Sequence, residues 1–396
     1  MNKQKKQPRI DMADNRVTQT IAYVGVNDHL TANFENQYPI PQGISYNSYI
    51  IFDEKITLMD SVDGSFTAEW LANVERTLEG KTPHYLVVLH MEPDHAASIV
   101  AAMERYPEMK VVGNSRTFQM IENFYHSSFA ERRTEVKDGE ELSLGSHTLK
   151  FIFAPMIHWP EVMVAYELSE KVLFSADAFG KFGALDVEEE WESEARRYYY
   201  NIVGKYGANV QTLLKKAAAL EIEKICGLHG PVLSENLGYY IGKYQQWSTY
   251  EAEEQGVAIV VASIYGNTLS AARELEKALT ANGTKCTLID ITKQDPSYAL
   301  AECFRYDKAV FAAATYDAAL FPVMDFMMMR LSSKNYQNRK VVLIENGSWA
   351  PMAAKLLRGK LEAMKAIEIV EPVVTIRSSM SEKNREEIKA LAEVLK

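Results

Sequence analysis

The sequence predicts two domains, the first of mixed α/β and α+β character and the second an α/β domain with a doubly wound parallel sheet. The chain has 396 residues, more than twice the usual length of one domain. Residues 245–255 are polar, and the hydrophobic pattern changes after them. Residues 257–396 carry a net charge of +3, which leaves −13 for the rest of the chain. We therefore expect domains at residues 1–253 and 254–396.

The second domain alternates between apolar, β-branched runs and helical patterns. Strands are predicted at residues 257–263, 286–289, 309–314, 341–344 and 367–375. Helices are predicted at residues 271–279, 298–304, 322–331, 352–364 and 382–395. Five successive strand–helix units indicate a parallel sheet with helices on both faces.

The first domain has a less regular pattern. Strands are predicted at residues 48–52, 55–59, 85–89, 148–154, 162–167 and 171–175. Helices are predicted at residues 68–78, 97–105 and 206–219. This order indicates a layered α/β or α+β fold.

Composition excludes several classes of protein. A formal net charge of −10 argues against a nucleic-acid-binding protein. The three cysteines, Cys226, Cys286 and Cys303, form no C-x-x-C motif, so a disulfide framework, a zinc ribbon and an iron–sulfur site are not expected. The N-terminal residues MNKQKKQPRI are basic, but no apolar segment of a signal peptide follows, and no run is long enough to span a membrane. A reducing cytoplasm is the expected location.

Four candidate metal ligands follow the predicted strand 85–89. They are His90, Glu92, Asp94 and His95. Alternate side chains of an extended segment share a face, so the first three can converge. Imidazole and carboxylate groups without thiolate suit iron or manganese, and zinc also accepts them. The sequence therefore predicts a metal site at the end of this strand.

Three more candidates follow other strand-like runs. His158, Asp177 and His229 come after residues 149–154, 171–175 and 222–226. If these strands share a sheet, their loops meet at one edge, where α/β proteins often place sites. Four imidazoles and three carboxylates suffice for two metal ions that share one carboxylate. A mononuclear site would leave several of these groups unused.

A phosphate site is predicted where the first strand of the second domain ends. The residues there are Ser263, Ile264, Tyr265, Gly266, Asn267 and Thr268. Backbone N–H groups and the dipole at the start of the following helix favour a phosphate. The Lys of a nucleoside triphosphate loop and the G-x-G-x-x-G motif of dinucleotide-binding proteins are both missing. A mononucleotide therefore fits best.

Two further loops complete the predicted mononucleotide site. They contain Thr315, Tyr316 and Asp317 after the third strand, and Asn346, Gly347, Ser348 and Trp349 after the fourth. A flat ring between these loops would be stacked by aromatic side chains and bonded by backbone groups. The arrangement resembles flavodoxin, which implies FMN at the switch point of the sheet.

The ligand motifs of the first domain resemble those of the flavodiiron proteins, also called A-type flavoproteins. The motifs are His90-x-Glu92-x-Asp94-His95, His-Trp-Pro at 158–160, Ser-Ala-Asp-Ala-Phe-Gly at 175–180 and His-Gly-Pro at 229–231. The resemblance covers residues 21–396. It implies a metallo-β-lactamase-like αβ/βα sandwich followed by a flavodoxin-like domain.

By position, the resemblance implies that His90, Glu92 and His158 bind one iron. It implies that Asp94, His95 and His229 bind the other, with Asp177 as the bridge. Zinc hydrolases of the same superfamily usually carry His where this chain has Glu92. A zinc-dependent hydrolase with a flavodoxin-like electron-transfer or binding module is the alternative, and an FMN-binding electron carrier is a third hypothesis.

The resemblance also implies an oxidoreductase in which FMN relays electrons to the di-iron site, where O₂ is reduced to water or NO to nitrous oxide. The sequence does not decide between the two gases. In the family, a head-to-tail homodimer brings the FMN of one subunit to the irons of the other, and the opposite charges of the two domains are compatible with that pairing. Whether dimers pair into a tetramer stays open. No Cys pair follows the last helix before Lys396, so we expect an external donor, first of all rubredoxin, and no fused rubredoxin domain.

The motifs do not identify two further residues that the resemblance implies near the irons, a tyrosine and a histidine. In the family, a Tyr from a segment like residues 197–201 reaches toward the di-iron pocket, and we expect Tyr199 here, with Tyr198 and Tyr200 as alternatives. Many members carry a His in the loop before Tyr46. Residues 34–45 contain none, with Gln42 in that loop and His29 nearest. This departure affects hydrogen bonding in the substrate pocket and leaves the metal ligands unchanged.

Overall fold

The computed structural model describes residues 15–396, so the predictions made for the N-terminal residues MNKQKKQPRI lie outside the described residues. The chain divides into two compact units. The first contains the residues up to Tyr198 and Ala208–Tyr244, and the second contains Tyr199–Gly207 and Gln245–Lys396. The expected boundary between residues 253 and 254 stays a prediction.

The described residues of the first unit form fifteen strands, most of them short, and seven α-helices, the last of which continues into the second unit. The strands are β1 (Ile21–Tyr23), β2 (Val26–Asp28), β3 (Asn33–Phe34), β4 (Tyr38–Pro39), β5 (Ile44–Tyr46), β6 (Tyr49–Ile51), β7 (Thr57–Met59), β8 (Tyr85–Val87), β9 (Lys110–Gly113), β10 (Arg133–Glu135), β11 (Glu141–Ser143), β12 (Thr148–Phe153), β13 (Met163–Glu167), β14 (Val172–Phe174) and β15 (Lys224–Cys226). The helices are α1 (Thr67–Leu78), α2 (Pro93–Ala96), α3 (Ile99–Arg105), α4 (Ser115–Tyr125), α5 (Trp191–Tyr198), α6 (Gly207–Ala217) and α7 (Leu237–Ser248).

Two sheets form the centre of the first unit. One has the order β1-β6-β7-β8-β9-β10, and it is antiparallel from β1 to β7 and parallel from β7 to β10. The other has the order β11-β12-β13-β14-β15 and is antiparallel except for the last pair. Every residue of β13 is buried, as expected for a strand covered on both faces. The mixed α/β character predicted for this half is confirmed.

The second unit contains all five of the predicted strand–helix repeats. Its elements are β16 (Glu254–Ala262), α8 (Asn267–Ala281), β17 (Cys286–Asp290), α9 (Pro296–Arg305), β18 (Tyr306–Tyr316), β19 (Ala319–Leu320), α10 (Pro322–Ser333), β20 (Arg339–Asn346), α11 (Ala353–Glu362), β21 (Ile367–Ile369), β22 (Val374–Ile376) and α12 (Glu382–Val394). The predicted strand 367–375 is two strands, β21 and β22. Pro372 lies between them, and a proline has no N–H to donate to a sheet.

The main sheet of the second unit has the order β17-β16-β18-β20-β21, and all of these pairs are parallel. This order is that of the flavodoxin-like doubly wound fold. Because the strands are parallel, β16, β18 and β20 end at the same edge, where the predicted mononucleotide loops begin. None of the helices between residues 15 and 396 combines the length and the apolar character needed to cross a membrane.

Candidate metal centre and mononucleotide site

The loop after β8 carries the first four candidate ligands. The backbone N–H groups of Leu89 and His90 donate to one oxygen of Asp60, at 2.7 and 3.3 Å, which fixes the start of the loop. The short helix α2 then begins at Pro93 and carries Asp94 and His95. Proline suits the first position of a helix because an N–H there would have no helical partner.

The structure brings all seven predicted ligands together in two groups. His90, Glu92, His158 and Asp177 form one, and Asp94, His95 and His229 form the other, with the ligand atoms of each group within 4.8 Å of one another. The strands before His158, Asp177 and His229 share one sheet, but the strand before His90 belongs to another. His90 follows β8 in the six-stranded sheet, whereas β12, β14 and β15, which precede the three distant ligands, belong to the five-stranded sheet. The site therefore joins loops from two sheets.

Asp177 faces both groups. Its Oδ2 atom lies 3.3 Å from His158 Nε2 and 3.5 Å from His90 Nε2. Its Oδ1 atom lies 3.2 Å from His95 Nε2 and 4.0 Å from His229 Nε2. The other two carboxylates, those of Glu92 and Asp94, each contact the histidines of one group only. Glu92 Oε2 is 2.8 Å from His158 Nε2, and Asp94 Oδ2 is 3.3 Å from both His95 Nε2 and His229 Nε2. One carboxylate oxygen is thus available to each of two centres.

Several ligand oxygens of this cluster face the histidines but have no hydrogen-bond partner among the described residues. The carboxylate oxygens of Asp94 and Asp177 are buried and have no hydrogen-bond partner among the described residues. The Nε2 atoms of His95 and His229 lie only 3.1 Å apart. An ionised carboxylate that is buried without a partner is strongly unfavourable. Two metal cations among these atoms would supply the missing partners, so the residues fit a dinuclear metal centre.

The charges of the cluster depend on one another. Burial raises the pKa of Asp177, but His90, His158 and His95 outweigh it and hold that pKa well below its usual range. Burial lowers the pKa of His158, yet Asp177 and Glu92 raise it to about 9. Without metal, the His158 ring therefore keeps its proton at neutral pH. A metal ion must displace that proton, so metal binding releases protons and becomes tighter as the pH rises toward 9.

Two ligand histidines are oriented by groups that the sequence did not single out. His90 Nδ1 lies 2.8 Å from Glu161 Oε1, which also accepts the Met91 N–H at 2.8 Å. The Nδ1–H of His229 donates to the Ser45 carbonyl at 2.8 Å. Both contacts leave Nε2 directed at the metal positions. Glu161 follows His158 by three residues in the His-Trp-Pro-Glu segment, so proximity to a predicted ligand was the available signal.

Tyr198, not Tyr199, is the tyrosine beside the candidate ligands. The Tyr198 ring lies 5.4 Å from the His229 ring, and burial together with Asp177, Glu92 and Asp94 raises its pKa well above its usual value. The Tyr199 ring lies 5.3 Å from Trp247, and Tyr200 stacks on Phe304 at 4.0 Å. The helix α5 ends at Tyr198 and continues as a π-helix, Tyr199–Val203, so the expected face is shifted.

In residues 34–45, the segment in which many family members carry a histidine, an aromatic side chain lies beside a candidate metal ligand. Phe34 lies edge-on to His229, with the ring centroids 5.4 Å apart. His29 pairs with Asp186 at 2.9 Å and is half-exposed, while Gln42 is exposed. This wall of the metal centre is therefore apolar.

A third group with metal-ligand chemistry comprises His147, Glu167 and Glu170. His147 Nδ1 lies 2.9 Å from Glu167 Oε1, which also accepts the Ser169 N–H. The Glu170 N–H donates to the other Glu167 oxygen. These bonds make Glu167 a carboxylate that stabilises the turn between β13 and β14.

The first predicted mononucleotide loop lies between β16 and α8. Gly266 precedes the helix with φ of +90°, a conformation that favours glycine, and its N–H donates to Ser263 Oγ at 3.1 Å. No side chain caps the N–H groups at the start of α8, among the described contacts. The N–H groups of Asn267 and Thr268, in the first turn of α8, can therefore bind an anion.

The aromatic residues of the three loops are exposed. Tyr265 and Trp349 are 92% and 88% exposed, and Tyr316 and Ile264 are partly exposed. Large exposed apolar groups at one sheet edge are typical of a ligand site.

Other predicted residues of these loops support the backbone. The Thr315 hydroxyl accepts the N–H groups of Met352 and Ala353, and Asp317 lies in the β18–β19 turn with φ of +50°. Asn346 and Ser348 bond to Ser378, which lies in a fourth loop that the sequence did not reveal. Gly347 is required because a Cβ there would meet Pro351 at 2.7 Å.

Two protein-family models match this chain, one in each of the two predicted domains. Residues 44–230 match the family model described as ODP family beta lactamase, and residues 259–390 match the flavodoxin family. The predicted fold class, a metallo-β-lactamase-like domain followed by a flavodoxin-like domain, is confirmed.

Individual proteins match most of the chain. It is 27% identical over 376 residues to a putative diflavin flavoprotein A 1 from Nostoc sp., covering 90% of this chain and 64% of that protein. It is 29% identical over 372 residues to a nitric oxide reductase from Moorella thermoacetica, covering 91% and 92%. The structure of rubredoxin oxygen:oxidoreductase from Desulfovibrio gigas superposes with a TM-score of 0.88 at 25% identity, covering 96% and 97%. The chain thus spans about two thirds of the longer diflavin relative.

Replacing Glu161 by Gln should weaken metal binding by about 10- to 100-fold, the usual effect of losing a group that orients a ligand histidine. Glutamine keeps the size of the side chain but removes the negative charge beside His90 Nδ1. Titration against a competing chelator measures the affinity.

Glu135→Gln, an exposed site on β10, makes the same chemical change away from the ligands and serves as the control. Glu161→Asp should restore part of the affinity. Equal metal affinity of Glu161→Gln and the unchanged protein would show that Glu161 does not position His90.

Proposed function

We propose that the chain is an oxidoreductase of the flavodiiron protein family that reduces O₂ to water, NO to nitrous oxide, or both, at a non-haem di-iron site supplied with electrons through FMN. The observation that carries this proposal is the carboxylate of Asp177, which presents one oxygen to each of two buried His/carboxylate groups. Such a group is suited to bridge two metal ions.

The seven ligands divide between two irons in this proposal. His90, Glu92 and His158 hold one, Asp94, His95 and His229 hold the other, and Asp177 binds both. Glu92 adds an oxygen donor and a negative charge where a zinc hydrolase would usually have an imidazole. Oxygen-rich ligation of this kind favours iron.

When bound, two ferrous ions would supply two electrons and adjacent positions for one O₂ or two NO molecules, and FMN would supply the further electrons, because O₂ takes up four electrons and four protons to give two waters, whereas two NO take up two electrons and two protons to give nitrous oxide and one water. The protein surrounds these positions with aromatic side chains. Phe34, Tyr46 and Tyr198 all lie within 6.1 Å of the His229 ring, centroid to centroid. Their apolar surfaces exclude bulk water and so limit side reactions. The raised pKa of Tyr198 keeps its hydroxyl protonated, so this hydroxyl can donate a hydrogen bond toward the metal centre. This is the role that the sequence had suggested for Tyr199.

The mononucleotide site fits FMN in the same proposal. The free N–H groups at the start of α8, with Ser263, Asn267 and Thr268, would hold the phosphate. Tyr265, Tyr316 and Trp349 would pack against the flat isoalloxazine ring. Backbone groups of residues 315–317 and 346–349 would bond its polar edge.

Partners and location follow from the family and from composition. We infer a head-to-tail homodimer, in keeping with the opposite charges of the two domains, and an external electron donor such as rubredoxin. The relative from Desulfovibrio gigas is itself described as a rubredoxin oxygen:oxidoreductase. All three cysteines are free thiols, which suits the reducing cytoplasm.

Metal analysis and gas consumption test the function directly. The purified protein should contain iron and FMN, and after anaerobic reduction it should consume O₂, NO or both when exposed to each gas separately. Zinc without iron, combined with hydrolysis and no gas consumption, would instead favour the zinc-dependent hydrolase. A protein that contains iron and FMN yet consumes neither gas would refute the proposal.

Asp177→Ala should lose both metal ions and retain FMN, because its two oxygens serve both metal positions. Asp177→Asn should show a weaker form of the same loss. Metal and flavin content are measured on the same sample, with Asp186→Ala, at an exposed aspartate paired with His29, as the control. Loss of FMN with retained iron would contradict the site assignment.

Thr268→Val should weaken FMN binding about ten-fold or more, since a hydrogen bond to a charged group contributes about 1.5–3 kcal/mol. Valine keeps the shape of threonine and removes only the hydroxyl. The recovery of flavin fluorescence on dilution measures dissociation. Thr280→Val on the same helix, where the hydroxyl bonds the Glu276 carbonyl, is the matched control and should leave FMN affinity unchanged.

A further inference from the structure

An apolar pocket of about 280 Å³ lies within the first unit. Its walls are formed by residues of β13, β14 and β15 and of the helices α6 and α7, among them Val164, Leu173, Ile225, Val210 and Ile241. A cavity about half this size, lined by aliphatic and aromatic side chains, binds benzene or xenon. The pocket is therefore large enough for several small gas molecules.

The side chains that line the pocket are mostly apolar. It contains no charged side chain, and its two polar side chains, Ser175 and Tyr244, already have partners. The Ser175 hydroxyl donates to the Ala178 carbonyl at 2.7 Å. The Tyr244 hydroxyl accepts the Phe179 N–H at 2.6 Å. With both side-chain hydroxyls engaged and no charged group in the walls, the pocket favours an apolar occupant over an ion.

One end of the pocket lies against the loops that carry metal ligands. Ile157 immediately precedes His158, and Ala178 immediately follows Asp177. Both side chains are buried, as is the neighbouring Phe179. At this end, the residues that line the pocket are therefore the sequence neighbours of the ligands His158 and Asp177.

The other end of the pocket reaches the surface. Leu214, Ala217, Leu220, Ile222 and Ile241 line it and are each partly exposed, and Ala218 is exposed. The exposed fraction thus falls from α6 and α7 toward the metal-ligand loops. This pocket, which is open beside α6 and α7 and is lined by Ile157 and Ala178 at its buried end, is called the apolar passage.

We propose that this passage binds the gas substrate and holds it beside the metal centre. The inference rests on the proposed function, because it assigns the pocket to O₂ or NO. Both gases are small and uncharged, so mostly apolar walls accommodate them at less cost than they would an ion. The pocket would raise the local concentration of the gas next to His158 and Asp177.

Xenon is the probe for binding. In crystals of the full-length protein under xenon pressure, xenon should occupy the pocket. Ala217→Phe fills the mouth from α6 and Ile241→Phe fills it from α7, and both should abolish that occupancy. Ala208→Phe, the same change at an exposed position of α6 outside the lining, should leave it intact. A pocket without xenon in the unchanged protein, or one filled by a larger apolar molecule, would overturn the proposal.

Kinetics test the connection with the metal centre. The two filling variants should lower kcat/KM for the gas several-fold and leave kcat at saturating gas unchanged, with normal metal and FMN content. Ala208→Phe should change neither constant. If both filled variants kept the original kcat/KM, the passage would not serve the reaction. If the protein consumed neither gas, the proposed function would fail, and the xenon experiment would still decide whether the pocket binds an apolar gas.

Discussion

The structure of the first unit depends on the burial of Asp177 among four imidazoles from three segments of the chain. A buried carboxylate with no hydrogen-bond partner is stable only beside positive charge, and protonated histidines or metal ions are the two sources available here. The neighbouring groups fix the geometry before any metal arrives. Asp60 holds the backbone of the loop after β8, Glu161 holds His90, and the Ser45 carbonyl holds His229. Substituting Asp60 or Glu161 would leave the ligand side chains present but less firmly positioned.

The metal-ligand set could be predicted because each ligand follows a buried strand. That rule depends only on local sequence, since an apolar run followed by an isolated His or Asp is visible without knowing the fold. The pairing of the strands was not visible. β8 lies in one sheet and β14 in the other, so the loops meet between two sheets instead of at one edge. The second unit was easier to predict, because five successive strand–helix units permit few topologies.

Side-chain direction was the part that sequence could not supply. Three consecutive tyrosines have equal propensities, and a one-residue change in helical winding decides that Tyr198 faces His229 while Tyr199 faces Trp247. Similarly, the sequence did not show that the Thr315 hydroxyl accepts the N–H groups that begin α11. Glu161 is an ordinary acidic residue in the sequence. Its role depends on a contact between the loop after β12 and the loop after β8, which only the tertiary structure shows.

Burial has opposite consequences for charged and uncharged species around the metal centre. It makes the unliganded carboxylates and imidazoles unfavourable, so the cluster selects for metal ions. The same burial leaves apolar side chains beside Ile157 and Ala178, next in sequence to two ligands, and the proposed uncharged gas would need no polar route there. Protons need donors, and Tyr198 offers a protonated hydroxyl on the side of His229. Because the gas and the proton require surroundings of opposite polarity, the apolar passage and Tyr198 should affect different kinetic constants. Substitutions in the passage should change the dependence on gas concentration, whereas substitution of Tyr198 should change the rate at saturation.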